Sequence, residues 1–274
     1  MDVCLTFWAM SKSLYAVAAA VLLPGYLFPA NAATIIANQN AFVYSQTPNS
    51  TPSTANQLEV AARGTVYNRK TYLGFDLTSL PELEGGERFD GSSLNLTLKG
   101  TPLIGSAPSS STYTLSLELY AIVDGSGAFS ASGITWNNAP KNNTSSNGGF
   151  ITSGVVSLGI ANITINNAAG TTLQNATVTW SGTAIDNLLN WSAGSLGDFY
   201  GTGKSNANQI TLMIGSNGTE SYVGLNFYSL AAAGGNDSYK PALNYHVVPE
   251  PGSVVLLLAG AVVGVGLRGR RTRA

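Results

Sequence analysis

Alternation of apolar and polar residues in the middle of the chain restricts its fold more than any other feature. Apolar positions spaced two apart recur in short segments, among them Leu94, Leu96 and Leu98, then Leu115, Leu117 and Leu119, and later Ile210, Leu212 and Ile214. Turn residues such as Gly85-Gly86 and Asn217-Gly218 separate these segments. This period predicts half-buried strands. We therefore expect an all-β, antiparallel β-sandwich of jelly-roll type.

One segment has helical rather than strand spacing. Ile185, Leu188 and Leu189 lie on one face of a helix drawn through residues 183–190, and Gly194 is placed to end it. We expect one short helix that closes the sandwich.

The N-terminus has the features of a secretory signal peptide. Lys12 precedes an apolar run at residues 14–23, and Pro24-Gly25 breaks the helix that this run would form. Ala30 and Ala32 provide small residues at the −3 and −1 positions of a cleavage site. We predict a signal helix in residues 1–32 and export of the chain. Cleavage after Ala32 would also remove the single cysteine of the chain.

The C-terminus combines a proline-rich turn, a short apolar run and a basic end. Pro249, Glu250 and Pro251 precede 14 apolar residues at 254–267, which as a short helix would span about 21 Å against a bilayer core of about 30 Å. Four arginines follow, at Arg268, Arg270, Arg271 and Arg273. The order of these three features, turn, apolar run and arginines, favours a signal that halts export with the arginines in the cytoplasm. An ordinary single-span anchor and a core helix are the alternatives.

These C-terminal residues resemble the PEP-CTERM sorting signal. The resemblance covers residues 248–274 and implies recognition and processing by an exosortase-type membrane protease, after a transient tether in the inner membrane. It also implies a location at the cell surface or in the extracellular matrix of a Gram-negative bacterium that makes exopolysaccharide.

A second resemblance lies in the body, which we assign to one domain at residues 33–247. Residues 67–81 and 133–140, together with a closing strand at 240–245, resemble parts of a DNRLRE domain. That family is similar to bacterial carbohydrate-binding modules. The resemblance implies a β-sandwich of jelly-roll type and binding to polysaccharide.

The densest group of residues suited to sugar binding is Tyr67, Asn68, Arg69, Lys70 and Tyr72. Aromatic faces cover the C–H surfaces of sugars, and polar side chains exchange hydrogen bonds with hydroxyl groups. These five residues are therefore the predicted ligand-binding patch. In the alternative interpretation, Arg69 pairs with an acidic side chain and Tyr72 only packs against the sheet. The tryptophans at 136, 180 and 191 are expected in the core.

Charge and residue types argue against several other functions. Residues 33–247 contain eight Lys or Arg against twelve Asp or Glu, a net charge of −4, which does not suit a nucleic-acid partner. The chain has one histidine, His246, and its carboxylates show no recognisable catalytic spacing. We expect no catalytic residues, metal or cofactor. The alternatives are an adhesive or structural matrix protein that carries glycans, and an enzyme that acts on polysaccharide.

Overall fold

The computed structural model describes residues 31–53, 56–62, 67–84, 86–100, 103–104, 112–145, 149–166, 173–194, 208–216 and 223–249. The chain divides into two compact units, one of residues 32–82 and 89–246 and one of residues 1–31, 83–88 and 247–274. In the second unit, the backbone N–H of Glu87 donates to the carbonyl of Glu84 at 2.8 Å and forms a turn. Everything described below belongs to the first unit, apart from the strand residues 31, 87–88 and 247–249.

The described residues form mostly strands. The strands are β1 (Asn31–Ile36), β2 (Gln39–Tyr44), β3 (Leu58–Ala61), β4 (Arg69–Asp76), β5 (Glu87–Phe89), β6 (Ser93–Thr97), β7 (Leu103–Ile104), β8 (Thr112–Ile122), β9 (Val155–Asn166), β10 (Thr177–Ser181), β11 (Gln209–Ser216), β12 (Val223–Phe227) and β13 (Ala242–Pro249). The helices are α1 (Thr183–Ser192) and α2 (Leu230–Ala233), and Asp237–Tyr239 is a 3-10 turn.

The strands form two sheets. Sheet A contains β1, β13, β6 and β10 in that order. Sheet B has the order β7-β12-β3-β4-β11-β8-β9, and β2 also pairs with β4. The longest antiparallel pair, β8 with β9, runs from Thr112 opposite Asn166 to Ile122 opposite Val155. The predicted all-β sandwich is confirmed.

Side chains that alternate along the strands fill the space between the sheets. Leu94 and Leu96 of sheet A and Leu115 and Leu117 of sheet B are fully buried, each with 0% of its surface exposed. The indole N–H of Trp180 in β10 donates to the carbonyl of Leu117 in β8 at 3.2 Å, so the two sheets are joined by a hydrogen bond as well as by packing. All three body tryptophans are buried, as expected.

The predicted helix is present, and it is not alone. Helix α1 covers Thr183–Ser192, and Gly194 follows it with a φ of 80° that glycine adopts without strain. Helix α2 was not expected from the sequence. It is a single turn. The Ser229 hydroxyl caps its N-terminus by accepting from the backbone N–H of Ala232 at 3.0 Å.

Strand β4 departs from the predicted pattern of one apolar and one polar face. Leu73 and Phe75 are buried on one face of the strand, but Lys70 and Tyr72 on the opposite face are also fully buried. The reason is a second apolar cluster that covers this face of sheet B: Ala41, Val43, Tyr72, Ile122, Ile134, Trp136, Ala139, Phe150 and Met213. Residues 134–150, which lie between β8 and β9, contribute four of its members.

Both predicted export signals lie largely outside the described residues. The residues outside the described ranges are Ala30, Glu250, Pro251, the apolar run at 254–267 and the four arginines. Ala32, by contrast, lies in β1, and Pro249 is the last residue of β13. In the part of the chain that the structure describes, no helix has the length and apolar character needed to cross a bilayer.

Candidate functional site

The structure divides the sequence-predicted patch into exposed and buried residues. Tyr67 is 41% exposed, and its ring centre lies 6.4 Å from that of Tyr44. The Arg69 guanidinium lies 4.3 Å from the centre of the Tyr44 ring and forms an ion pair of 2.5 Å with Glu59. The pairing of Arg69 with an acidic residue was the alternative weighed from the sequence. Tyr67 and Arg69 are thus the members of the patch that reach the surface.

The other three members are buried and serve packing. Asn68 is 1% exposed, and its backbone N–H donates to the Ser45 hydroxyl at 2.9 Å. Tyr72 has its ring centre 6.1 Å from Phe129 and 6.2 Å from Phe150. Neither side chain can touch a ligand at the surface of this structure, because neighbouring residues cover both.

Lys70 is fully buried in a site built from aromatic rings and oxygen acceptors. Its ammonium group lies 4.6 Å from the centre of the Trp136 ring and 5.0 Å from that of Phe150. It donates to Asn142 Oδ1 at 2.7 Å and to the carbonyls of Asn143 and Gly149. Burial lowers the pKa of Lys70 to about 7. The residue holds the segment around Asn142 against sheet B and is not part of a surface site.

A second candidate site is the outer face of sheet A, which faces away from the sandwich core. Strand register aligns its polar side chains in rows across β13, β6 and β10. One row contains Asn244, Ser93 and Ser181, the next contains Asn95 and Thr179, and the third contains Thr97 and Thr177. Because neighbouring strands lie about 4.8 Å apart, these hydroxyl and amide groups are closely spaced. Thr97 is only 4% exposed, and its hydroxyl donates to the Ser238 carbonyl at 3.4 Å.

This face forms the floor of a groove with a volume of about 460 Å³. Strands β1, β6, β10 and β13 and the turn Asp237–Lys240 line it. Most of its lining side chains carry hydroxyl or amide groups, and Asp237 and Lys240 are its charged residues. Such a lining can exchange many hydrogen bonds with a hydroxyl-rich ligand.

Two asparagines in the groove are oriented by threonine hydroxyls. The Thr179 hydroxyl donates to Asn95 Oδ1 at 2.8 Å, and the Thr34 hydroxyl donates to Asn244 Oδ1 at 2.8 Å. Each carbonyl oxygen thereby accepts a hydrogen bond, which turns the Nδ2 group of each amide into its donor side. The Asn244 Nδ2 also donates to the Ser93 hydroxyl over a long distance of 3.5 Å. These amides are fixed in position before any ligand arrives, which lowers the entropic cost of binding.

An aromatic pair stands at the Thr97 end of the groove. The rings of Tyr228 and Tyr239 stack with centres 4.7 Å apart and an interplanar angle of 18°. The backbone N–H of Tyr228 donates to the Thr97 carbonyl at 2.9 Å, and its hydroxyl donates to Asn175 Oδ1 at 3.1 Å. Tyr239 lies between the lining residues Ser238 and Lys240. Both tyrosines are partly exposed, so the pair adds aromatic residues beside the polar floor.

The described lining of the groove contains one pair of charged side chains among neutral groups. The carboxylate of Asp237 lies 2.6 Å from the ammonium group of Lys240. Within the described ranges, no cluster of three or more His, Cys, Asp or Glu side chains could hold a metal ion.

Sequence reasoning missed this groove although its signal was present. The alternation that placed Leu94 and Leu96 inside also placed Asn95 and Thr97 on the opposite face, and Asn244 has the same relation to Leu243 and Tyr245. The pattern did not reveal that these polar faces belong to neighbouring strands, because pairing across long sequence separations is not a local property.

Comparisons with known families match two parts of the chain. The model for carbohydrate-binding module family 96 matches residues 31–181, more than half of the 274 residues. This region includes β1, β6 and β10 of the groove, whereas β13 and the turn Asp237–Lys240 follow it. The model for the PEP-CTERM protein-sorting motif matches residues 247–271. A search of curated proteins gave no match.

The sorting motif indicates the cellular location of the protein. It implies export, with processing by an exosortase and a location at the cell surface or outside the cell. The resemblance of the C-terminal residues to a PEP-CTERM signal, predicted from the sequence, is confirmed.

Proposed function

The chain belongs to carbohydrate-binding module family 96, and from this membership we propose that it binds polysaccharide through the groove on the outer face of sheet A. The observation that carries the proposal is the pair of oriented amides, Asn95 and Asn244, in a floor of hydroxyl side chains. A polysaccharide presents rows of hydroxyl oxygens, which these amide donors and hydroxyls suit. The Tyr228–Tyr239 pair adds an apolar surface for the C–H face of a sugar ring.

Replacement of the two asparagines tests the groove. Asn95→Ala and Asn244→Ala should each weaken binding to immobilised polysaccharide roughly tenfold, since each removes hydrogen bonds worth about 1 kcal/mol or more. Binding can be measured by affinity electrophoresis against a panel of soluble polysaccharides, including exopolysaccharide from the producing cell.

Asn162→Ala is the matched control. Asn162 is an exposed amide on β9 of sheet B that also accepts from a hydroxyl, that of Ser116, at 2.7 Å. Its replacement should leave binding unchanged. Equal binding by all three variants and the unaltered chain would exclude the groove as the site.

Tyr67 is proposed as a separate, weaker contact, because it is the exposed residue of the sequence-predicted patch, with the Arg69 side chain, 15% exposed, near it. Tyr67→Ala should reduce affinity less than Asn95→Ala does. A larger loss of affinity for Tyr67→Ala than for Asn95→Ala would indicate that the principal site is on sheet B.

We propose a non-enzymatic protein that associates with exopolysaccharide at the surface of a Gram-negative bacterium. A transient inner-membrane tether and cleavage after Ala32 belong to the same proposal. Sequencing the N-terminus of the exported chain should therefore give Ala33. Replacing Pro249, Glu250 and Pro251 by Ala should leave the protein in the inner membrane, and normal surface delivery of that variant would contradict the sorting role.

Two other functions are outcomes of the same experiments. A chain that binds no polysaccharide, yet carries covalent glycans, would be a structural or adhesive matrix protein. Release of new reducing ends from a polysaccharide by the purified chain would identify an enzyme.

A further inference from the structure

Lys70 and Asn142 form a buried amine–amide pair that the proposed sugar binding does not use. Lys70 Nζ donates to Asn142 Oδ1 at 2.7 Å, and the two residues are 0% and 7% exposed. Asn142 Nδ2 donates in turn to the Trp136 carbonyl at 2.5 Å. The amide is therefore held on both sides, with its carbonyl directed at the amine and its nitrogen directed at Trp136.

The surroundings of the amine favour its uncharged form. The ring centres of Trp136 and Phe150 lie 4.6 and 5.0 Å from Lys70 Nζ. Burial lowers the pKa of Lys70 from 10.5 to about 7, so a large share of the amines carries no proton near neutral pH. An uncharged, buried lysine amine has a lone pair available and is a nucleophile.

Both partners are fixed in position by the backbone. Lys70 lies in β4, and Asn142 forms an isolated β-bridge with Phe150. The backbone N–H of Asn142 also donates to the Ala139 carbonyl at 3.2 Å. A nucleophile and an amide held together in this way react as if each were at a very high concentration.

A carboxylate lies on the same face of sheet B. Gly215 of β11 pairs with Glu118 of β8, and Tyr72 of β4 pairs with Met213 of β11. Lys70 precedes Tyr72 by two residues, so Lys70, Gly215 and Glu118 follow one another in one row of the sheet. The backbones of Lys70 and Glu118 are thus two strand spacings apart, about 10 Å. Because Gly215 has no side chain, nothing on β11 separates them in that row.

We infer that Lys70 and Asn142 condense to an intramolecular isopeptide bond, with release of ammonia and with Glu118 as the proton carrier. Lys70 Nζ attacks Asn142 Cγ, and the carbonyl π electrons move to Oδ1. When the carbonyl re-forms, the Cγ–Nδ2 bond breaks. The proton lost by Nζ passes through the Glu118 carboxylate to Nδ2, which departs as ammonia. An amine and a carboxamide give a substituted amide and ammonia, so no oxidant or reductant is needed.

The structure describes the form with the free amine. The dependence of stability on pH that burial gives Lys70 belongs to this form, because an amide nitrogen does not titrate. The product joins two positions that are 72 apart in sequence and restricts the unfolded chain as a disulfide does. The chain contains one cysteine, so a disulfide within the chain cannot supply such a link.

The test is the intact mass of the purified full-length chain. Incubation at about pH 9 leaves the buried amine uncharged, and samples are taken over several days. We expect the mass to fall by that of one ammonia molecule, and the product to migrate faster in denaturing electrophoresis because its unfolded chain contains a closed loop. Digestion and tandem mass spectrometry should give a branched peptide that joins residues 70 and 142.

Two variants examine the partners. Lys70→Met removes the nucleophile and should keep its calculated mass. Glu118→Gln retains the size of a partly exposed side chain, so it should fold, yet it should form the bond about a hundredfold or more slowly because the proton carrier is lost. Asp124→Asn is the matched control, since Asp124 pairs with Lys141 beside Asn142. It should form the bond at an unchanged rate.

An unchanged mass of the full-length chain after incubation would overturn the inference, whatever the outcome of the sugar-binding experiments. A succinimide at an Asn–Gly step also releases ammonia, so a loss that peptide mapping places at such a step, with residues 70 and 142 unlinked, would overturn it as well. Bond formation by Glu118→Gln at the rate of the unaltered chain would overturn the role of Glu118.

Discussion

At the scale of single residues, Lys70 shows how a polar side chain in a strand can become part of a core. Its ammonium group lies over the rings of Trp136 and Phe150, and three oxygen atoms accept its hydrogen bonds. A buried ammonium is costly unless such partners surround it. The same partners become unsatisfied when the lysine is removed, so the residue stabilises the fold through groups far from it in sequence.

Lys70→Met should lower the free energy of unfolding by roughly 3 kcal/mol. The methionine retains most of the volume, but Asn142 Oδ1 and the carbonyls of Asn143 and Gly149 lose their buried donor. Urea unfolding followed by tryptophan fluorescence measures the change. Lys99→Met is the control, since Lys99 bonds the Asn56 carbonyl at the surface, and it should cost less than about 1 kcal/mol. Equal losses would contradict this account.

The lowered pKa of Lys70 predicts a specific dependence of stability on pH. The pKa falls on folding from 10.5 to about 7 because burial disfavours the ammonium. Between these values the unfolded chain binds more protons, so stability should rise with pH from about 7 to 10.5. Below this window the contribution is constant. Urea titrations at several pH values should show a smaller rise for Lys70→Met, and parallel curves would exclude Lys70 as the source.

At the upper end of that pH range, the ionisation of buried tyrosines lowers the stability of the fold. Burial raises the pKa of Tyr120 to about 12, and burial also raises the pKa of Tyr72. Above about pH 10, the unfolded chain loses phenolic protons that the folded chain keeps, so stability falls as pH increases. The contribution of Lys70 is therefore best measured below pH 10.

At the scale of elements, α1 is fixed to the body by side-chain bonds to backbone groups. Asn190 Oδ1 accepts from the N–H of Phe89 at 2.8 Å, and Asn190 Nδ2 donates to the Phe89 carbonyl at 3.0 Å. The N–H of Ser92 donates to Asp186 Oδ1 at 2.7 Å. These bonds satisfy the buried backbone groups of Phe89 in β5 and of Ser92, which directly precedes β6.

Asn190→Ala should therefore destabilise the fold by about 2–4 kcal/mol, because it leaves a buried N–H and a buried carbonyl of Phe89 without partners. Asn187→Ala on the same helix is the control and should cost less than about 1 kcal/mol, since Asn187 is only partly buried. Urea unfolding of both variants gives the comparison. A loss no greater for Asn190 than for Asn187 would show that packing alone holds the helix.

At the scale of the whole molecule, the sandwich core and the sorting motif occupy different residues. In β13, Ala242, Leu243 and Asn244 pair with β6, and the side chains of Leu243 and Tyr245 are buried. Pro249 ends the strand and cannot donate a backbone hydrogen bond. Leu243 and Tyr245, the buried residues of β13, therefore precede the PEP-CTERM match at 247–271.

A chain of residues 33–247 should fold without the sorting segment. We expect a circular dichroism spectrum dominated by strand and a melting temperature within about 2 °C of the full chain, because no buried residue of β13 is lost. A chain cut after Pro241 is the contrast and should fail to fold, since it lacks Leu243 and Tyr245. Failure of the longer chain would show that the sorting segment is needed for folding.

The sequence by itself determined the strands, the α1 helix and the sorting motif, whereas only the tertiary structure decided which faces are covered and which polar residues meet. Strands and helices follow from the local period of apolar residues, and a sorting motif is a linear pattern, so neither needs knowledge of distant contacts. Lys70 and Tyr72 had the pattern of a polar strand face, yet Trp136 and Phe150 cover them. Asn95 and Asn244 lie 149 positions apart and share one groove. Strand pairing at such separation depends on the packing of the whole sandwich, which no local period contains.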